Sequence, residues 1–312
     1  MWAQNVIMIS RHNLLLFLIG CCLTIATVRG QTRYMDKVFE VINTRTYTYS
    51  DTLKLDFYYA PKDKVTQKPL IILMHGGGFA KGSRNGRDEQ KFCTAMAEKG
   101  YAVVSLSYRL TRKNKSFGCD CPVPEKIATY RAAMQDLGKA LKFLHSREVD
   151  LKIDLNQVIL AGSSAGASTI LNALFMRSHY EFRDIEFRNT NFVGAISFSG
   201  AMLDSEYLRS KKPVPIVMMH GEKDRTLLVG KGPHRSCGPT NVGYLILSGP
   251  LAITEKFRTN ENPFLCVIDP EGTHEWSNYG YSYIPEISSF LYRTIFQGEQ
   301  IQTFQIIKHV AN

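Results

Sequence analysis

Six short, continuous apolar runs constrain this chain more than any other feature of it. They are Leu70 to Met74, Tyr101 to Leu106, Val158 to Ala161, Val193 to Phe198, Ile216 to Met219 and Phe264 to Ile268. Runs of this length suit strands covered on both faces, as in a parallel sheet. Helical patterns separate them. Ile127, Tyr130, Met134, Leu137, Leu141 and Leu144 recur at three- and four-residue spacing, one apolar stripe on a helix that Pro122 and Pro124 keep from extending backwards. Further helices are expected over 88–98, closed by Gly100, and over 284–296. Ahead of these, 38–42 and 53–57 mix apolar and polar positions and predict two half-buried antiparallel strands. The alternation predicts an α/β fold: a mostly parallel open sheet flanked by helices, with antiparallel strands at its N-terminal edge.

No Pro-, Gly- or Ser-rich linker breaks the pattern, so residues 31–312 read as a single domain. The chain has 312 residues, 44% of them hydrophobic, with 23 Gly and 12 Pro. That composition excludes collagen-like, low-complexity and disordered chains. Residues 1–30 read differently. Arg11 and His12 precede an apolar run from Leu14 to Val28, followed by Arg29, Gly30 and Gln31. The run is shorter than the roughly 20 residues that cross a bilayer. A positive flank and a short apolar stretch predict a secretory signal peptide cut after Gly30. Met8 is an alternative start. Leu18-Ile19-Gly20-Cys21 is similar to a lipoprotein box, but the apolar run continues past Cys21. The expectation is a secreted or periplasmic protein without stable membrane association, in an oxidising compartment where disulfides persist.

Three motifs carry chemistry. Gly162-Ser163-Ser164-Ala165-Gly166 follows a predicted strand and precedes a helical run with Ile170, Leu171, Leu174 and Phe175. A serine at the tip of such a turn exposes its hydroxyl, and the glycines leave room for the sharp backbone. His75-Gly76-Gly77-Gly78-Phe79 follows another strand. Its consecutive glycines can turn N–H groups toward one point, as acyl transfer needs when a carbonyl oxygen becomes an anion. Gly77, Gly78 and Ala165 are the expected oxyanion donors. The loop lacks the dinucleotide spacing and the Gly-Lys-Ser/Thr ending of a phosphate cradle. The third element is Asp224, in His220-Gly221-Glu222-Lys223-Asp224, with His274, in Gly272-Thr273-His274-Glu275-Trp276. A serine becomes nucleophilic when a histidine takes its proton and a carboxylate fixes that imidazole. His274 is preferred over His234, in a Gly/Pro-rich stretch, and His309, near the end. Asp224 is preferred over Glu222 and Asp204. Asp269 reads as a turn residue.

Ser164, Asp224 and His274 in that order, with the glycine loop upstream, resemble the α/β-hydrolase superfamily in its esterase/lipase branch, over about residues 50–298. The resemblance implies carboxylic-ester hydrolysis through an acyl-serine, without metal or organic cofactor. The glycine loop is similar to that of hormone-sensitive-lipase-like esterases, which usually carry Gly-Asp-Ser-Ala-Gly-Gly where this chain has Gly-Ser-Ser-Ala-Gly-Ala. That departure points toward secreted bacterial carboxylesterases, including those acting on acetylated or feruloylated plant polysaccharide. The expected partner is a small-molecule or polysaccharide-linked ester. A serine peptidase of the same fold and a non-catalytic hydrolase-like binding protein are the alternatives.

Only about fifteen residues separate the strands ending near Ser199 and starting at Pro215, which leaves no room for a cap domain. The longer excursions, 109–122, 179–191 and 225–262, are expected to rim the site, with Trp276 and Phe79 as further candidates for its lining. Seven cysteines are too few for a disulfide scaffold and match no zinc spacing. Beyond the signal remain Cys93, Cys119, Cys121, Cys237 and Cys266. A bridge from Cys119 or Cys121 to Cys237 is expected; a Cys119–Cys121 metal pair is the minor alternative. The net charge of +10 becomes +8 without Arg11 and Arg29, and its scattered lysines and arginines give no nucleic-acid footprint.

Overall fold

A computed structural model describes residues 31–208 and 214–308. Residues 1–30, on which the signal-peptide expectation falls, and His309 lie outside the described residues. The unit from Thr32 onward is built on a nine-stranded sheet. In chain order its strands are β1 (Asn43–Ser50), β2 (Leu53–Tyr59), β3 (Lys68–Met74), β4 (Ala102–Leu106), β5 (Ile153–Ser163), β6 (Phe192–Phe198) and β7 (Ile216–Gly221). A separate antiparallel pair follows, β8 (Lys231–Pro233) with β9 (Ile246–Ser248), before β10 (Phe264–Asp269) and β11 (Gln302–Ile306) return to the sheet. The order is β1-β2-β4-β3-β5-β6-β7-β10-β11. β1, β2 and β4 pair antiparallel, and every neighbour from β4 to β11 is parallel.

All six apolar runs became strands of this sheet because each has two faces to bury. The helices of eight or more residues among the described residues are α1 (Arg87–Glu98), α2 (Val123–His145), α3 (Ala165–Phe175), α4 (Pro250–Thr259) and α5 (Ile284–Leu291). Leu70, Ile72 and Met74 of β3 join one core with Met134 and Leu137 of α2 and Ile170 of α3. Ile71 and Leu73 join the opposite core with Phe92 and Met96 of α1 and Ile287 of α5. Each fully buried Leu or Ile contributes about 1.5–3 kcal/mol. β3, with all seven residues buried, is therefore anchored from both sides.

The edges differ from expectation. β1 begins at Asn43, not within 38–42; Val38 and Phe39 instead donate their N–H groups to Glu98 O and close the end of α1. α2 starts at Val123 with Pro124 in its first turn, where a missing N–H breaks no helical bond. α5 passes into a π-helical turn over Tyr292–Phe296. Strand β11 has too polar a sequence to read as a strand and is mostly exposed at the sheet edge. Helix α4 lay hidden inside the 225–262 excursion; its buried face consists of Pro250, Ile253, Thr254 and Phe257.

Candidate active site

The carboxyl ends of β3, β5, β7 and β10 assemble the site. Ser164, between β5 and α3, has φ 48° and ψ −110°, a strained conformation for a residue with a side chain. Its N–H donates to Phe198 O at 2.8 Å. The flanking glycines make the turn possible: a Cβ on Gly162 would lie 2.5 Å from the Gly166 carbonyl carbon, and one on Gly166 would lie 2.0 Å from Met74 O. Ser164 therefore stands on a sharp corner packed directly on β3.

His274, after β10, and Asp224, after β7, converge on it. Ser164 Oγ is 2.8 Å from His274 Nε2, and His274 Nδ1 is 2.6 Å from Asp224 Oδ2. With the proton on Nδ1, donated to Asp224, Nε2 is left as acceptor for the serine hydroxyl. Asp224 is fully buried and saturated. Its Oδ1 accepts the N–H groups of Thr226 and Leu227 at 2.7 and 3.0 Å. Burial alone would raise its pKa, but hydrogen bonds from His220 and His274 reverse that and hold the carboxyl well below the usual range.

His220 had no expected role. It is buried, with Nε2 3.2 Å from Asp224 Oδ2 and 2.7 Å from Leu227 O. Its four-residue lead on Asp224 across a strand end was the available signal. The rival carboxylates are elsewhere: Asp204 accepts from Glu206 N–H in a short turn, and Glu222 is exposed. Asp269, expected in a turn, is instead the last residue of β10, where it accepts Glu271 N–H and Trp276 Nε1–H, each at 3.0 Å. His234 is buried edge-on to Phe117, with Nδ1 unpartnered among the described residues.

The glycine loop closes the other side. Gly77 and Gly78 have φ +110° and +62°, and a Cβ on Gly77 would lie 2.1 Å from Lys81 O. Tyr108 stacks on the His75 ring and donates its hydroxyl to His75 O at 2.7 Å. The N–H groups of Gly77, Gly78 and Ala165 have no backbone acceptor among the described residues. They are free to serve a ligand beside Ser164.

A cleft of about 1080 Å³ opens in front of Ser164 and His274. Residues 115–118, from the loop after β4, and Thr226 and Arg235, from the loop after β7, rim it. A much smaller cavity, about 20 Å³, lies behind Ser164 between Phe79, Phe117, Tyr130, Leu227 and His234. The expected rim residues 179–191 are not there. Asp184, Ile185, Glu186 and Arg188 line another pocket with Arg109 and α2, because a segment that follows a helix returns toward the amino ends of the strands. Trp276 is core rather than lining, whereas Phe79 walls the small cavity. Cys119 pairs with Cys237 and ties the two rim loops together, which removes Cys119 from any metal pair. Cys93, Cys121 and Cys266 are buried free thiols. Among the described residues no group of three or more His, Cys, Asp or Glu is placed to hold a metal ion.

The BD-FAE family model matches residues 55–192, a span that includes the glycine loop and Ser164 and stops before Asp224 and His274. Neutral cholesterol ester hydrolase 1 of Pongo abelii is 35% identical over 111 residues, 35% of this chain and 24% of that protein. Probable carboxylesterase 6 of Arabidopsis thaliana is 30% identical over 112 residues, 34% of this chain and 29% of that protein. The chain thus spans less than a third of the length of these relatives. Esterase B of Lactobacillus rhamnosis shares the fold at a TM-score of 0.57 and 18% identity, covering 91% of this chain and 94% of its own. The chain thus has the fold of these esterases, and over the matched stretches its sequence is similar to carboxylesterases of the α/β-hydrolase superfamily.

Proposed function

We propose that the protein is a serine carboxylic-ester hydrolase acting on short-chain acyl esters of bulky alcohols, carbohydrates included. Ser164 is the nucleophile, His274 the general base and Asp224 the carboxylate that orients it. The observation that carries this reading is the unbroken hydrogen-bonded line from Asp224 through His274 to Ser164. His274 Nε2 takes the hydroxyl proton as Oγ attacks the ester carbonyl, and Asp224 stabilises the imidazolium that results. The carbonyl oxygen becomes an anion facing the N–H groups of Gly77, Gly78 and Ala165, each such donor being worth about 10²–10³ in rate. His274 then returns the proton to the departing alcohol. Water repeats the sequence on the acyl-serine, and no step requires a metal or organic cofactor.

Acyl size follows from space. A cavity of about 20 Å³ holds roughly one water-sized group, which matches the methyl of an acetyl ester. The wide cleft is left for the alcohol. Residues 1–30 act as a cleaved signal peptide in this reading, and the Cys119–Cys237 bridge suits an oxidising compartment.

Hydrolysis of p-nitrophenyl acetate, butyrate and octanoate by the wild type and Ser164→Ala tests it. The wild type should prefer acetate, and the variant should lose turnover. No turnover by the wild type, or full turnover by the variant, removes the assignment. Octanoate turned over as fast as acetate removes the acyl-size argument.

A further inference from the structure

The cleft in front of Ser164 carries unneutralised positive charge. Arg235, Lys81 and Lys115 line it, and none of their side chains has an ion-pair partner among the described residues. Two acids share the wall. Glu89 accepts the Tyr281 hydroxyl at 3.3 Å, and Glu275 accepts Thr273 N–H at 3.1 Å, so three cations face two acids.

Arg235 is the best placed of the three cations. It borders both the wide cleft and the small cavity behind Ser164. Its guanidinium Nη2 is 3.6 Å from the point a Cβ would occupy on Gly78, beside the proposed oxyanion donors. Its backbone is unusual too. Arg235 and Ser236 both have positive φ, 55° and 54°, an unfavourable conformation for residues with side chains. Such strain persists where the surroundings over-determine it. Here they do: Arg235 N–H donates to Thr226 O at 2.9 Å, and Cys237 is bonded to Cys119. Further along the same loop, the buried Lys126 ammonium donates to Gly243 O at 2.6 Å. The backbone that carries this exposed guanidinium is thereby held beside the small cavity.

We propose that Arg235 is a specificity residue and that the substrate's alcohol part carries a carboxylate, which the guanidinium binds while the ester carbonyl sits at Ser164. The substrate class is the acyl esters of hydroxy acids, acidic sugars included. This inference rests on the serine-esterase reading above. The anion is assigned to the alcohol part because Arg235 lines the wide cleft of about 1080 Å³, whereas the small cavity is walled largely by Phe79, Phe117, Tyr130 and Leu227. A carboxylate is named because the planar guanidinium fork matches its two oxygens. Lys81 and Lys115 add a field that draws the anion in and that salt screens.

The test compares kcat/KM for 4-acetoxybenzoate with that for its neutral methyl ester, in the wild type, Arg235→Gln and Arg235→Lys. The anion-to-neutral ratio should fall about 10- to 100-fold in Arg235→Gln, the range expected for losing a hydrogen-bonded charge partner. It should fall less in Arg235→Lys, and added salt should lower it in the wild type. Both esters are read in the same sample, so a loss of folded variant cancels from the ratio. An unchanged ratio in Arg235→Gln overturns the assignment of Arg235 while hydrolysis stands. Failure of the wild type to hydrolyse either ester overturns the esterase reading instead.

Discussion

His220 and Asp224 are held 3.2 Å apart, Nε2 to Oδ2, so the carboxylate oxygen that receives His274 receives a second imidazole as well. His220 does not line the cleft. Its effect on the reaction runs through the angle and charge of Asp224. His220→Ala should lower kcat for p-nitrophenyl acetate about tenfold, the scale of one lost hydrogen bond of about 1–1.5 kcal/mol, with KM little changed. Asp224→Asn should lower kcat by about 10⁴, since it presents the wrong partner to His274. Steady-state kinetics of both variants check this.

His234 makes stability depend on pH. Burial pushes its imidazole down to about 3 from an ordinary 6.5, and the charges of Lys126 and Arg235 act in the same direction. Below about pH 6.5 the unfolded chain takes up a proton there that the folded chain refuses. This group's contribution is thus complete above pH 6.5 and is lost as pH falls toward 3, at about 1.4 kcal/mol per unit. Urea unfolding of wild type and His234→Phe at pH 7 and pH 5 checks it. The wild type should lose about 2 kcal/mol more than the variant over that interval. Equal losses would remove the effect.

The two inner glycines of the loop should respond differently to alanine. A Cβ on Gly77 meets backbone at 2.1 Å and cannot be relieved by a rotamer change. Gly77→Ala should therefore displace the loop and cost at least about 10² in kcat, the scale of a lost oxyanion donor. A Cβ on Gly78 meets only Arg235 Nη2, at 3.6 Å. Gly78→Ala bears mainly the left-handed backbone penalty of about 1–2 kcal/mol and should keep more activity. Kinetics with thermal unfolding of the same samples separate the two.

The Cys119–Cys237 bridge closes a loop of 118 residues. Bridges of this span stabilise by about 2–5 kcal/mol. Cys237→Ser should lower Tm by roughly 5–15 °C for a domain of this size. It should also weaken the discrimination assigned to Arg235, because the loop loses its anchor two residues further on. Thermal unfolding under non-reducing conditions checks the first part, and the anion-to-neutral ratio the second.

Two-sided burial made the central sheet legible. Leu70 to Met74 and Phe264 to Ile268 are apolar because α helices cover both faces, and such runs announce themselves. Edge strands β1 and β11 bury little, so their sequences resemble loops. Ser164, His274 and Asp224 were legible because each sits at a strand end in a fixed order. His220 was not, because a buried histidine at a strand end looks the same whether it packs or orients a carboxylate. Arg235 was hidden for another reason. Nothing in its neighbours announces a left-handed backbone, and its place in the cleft depends on a disulfide between two residues 118 positions apart.

The central claim is that Ser164 is the activated nucleophile, and phosphorylation by paraoxon tests it most directly. After exposure and proteolysis, mass spectrometry should find a single phosphoryl group, on Ser164, with loss of ester hydrolysis in step with labelling. His274→Ala should take up the label orders of magnitude more slowly. Label confined to another serine, such as the neighbouring Ser163, or ester hydrolysis that survives complete labelling of Ser164, would contradict the account.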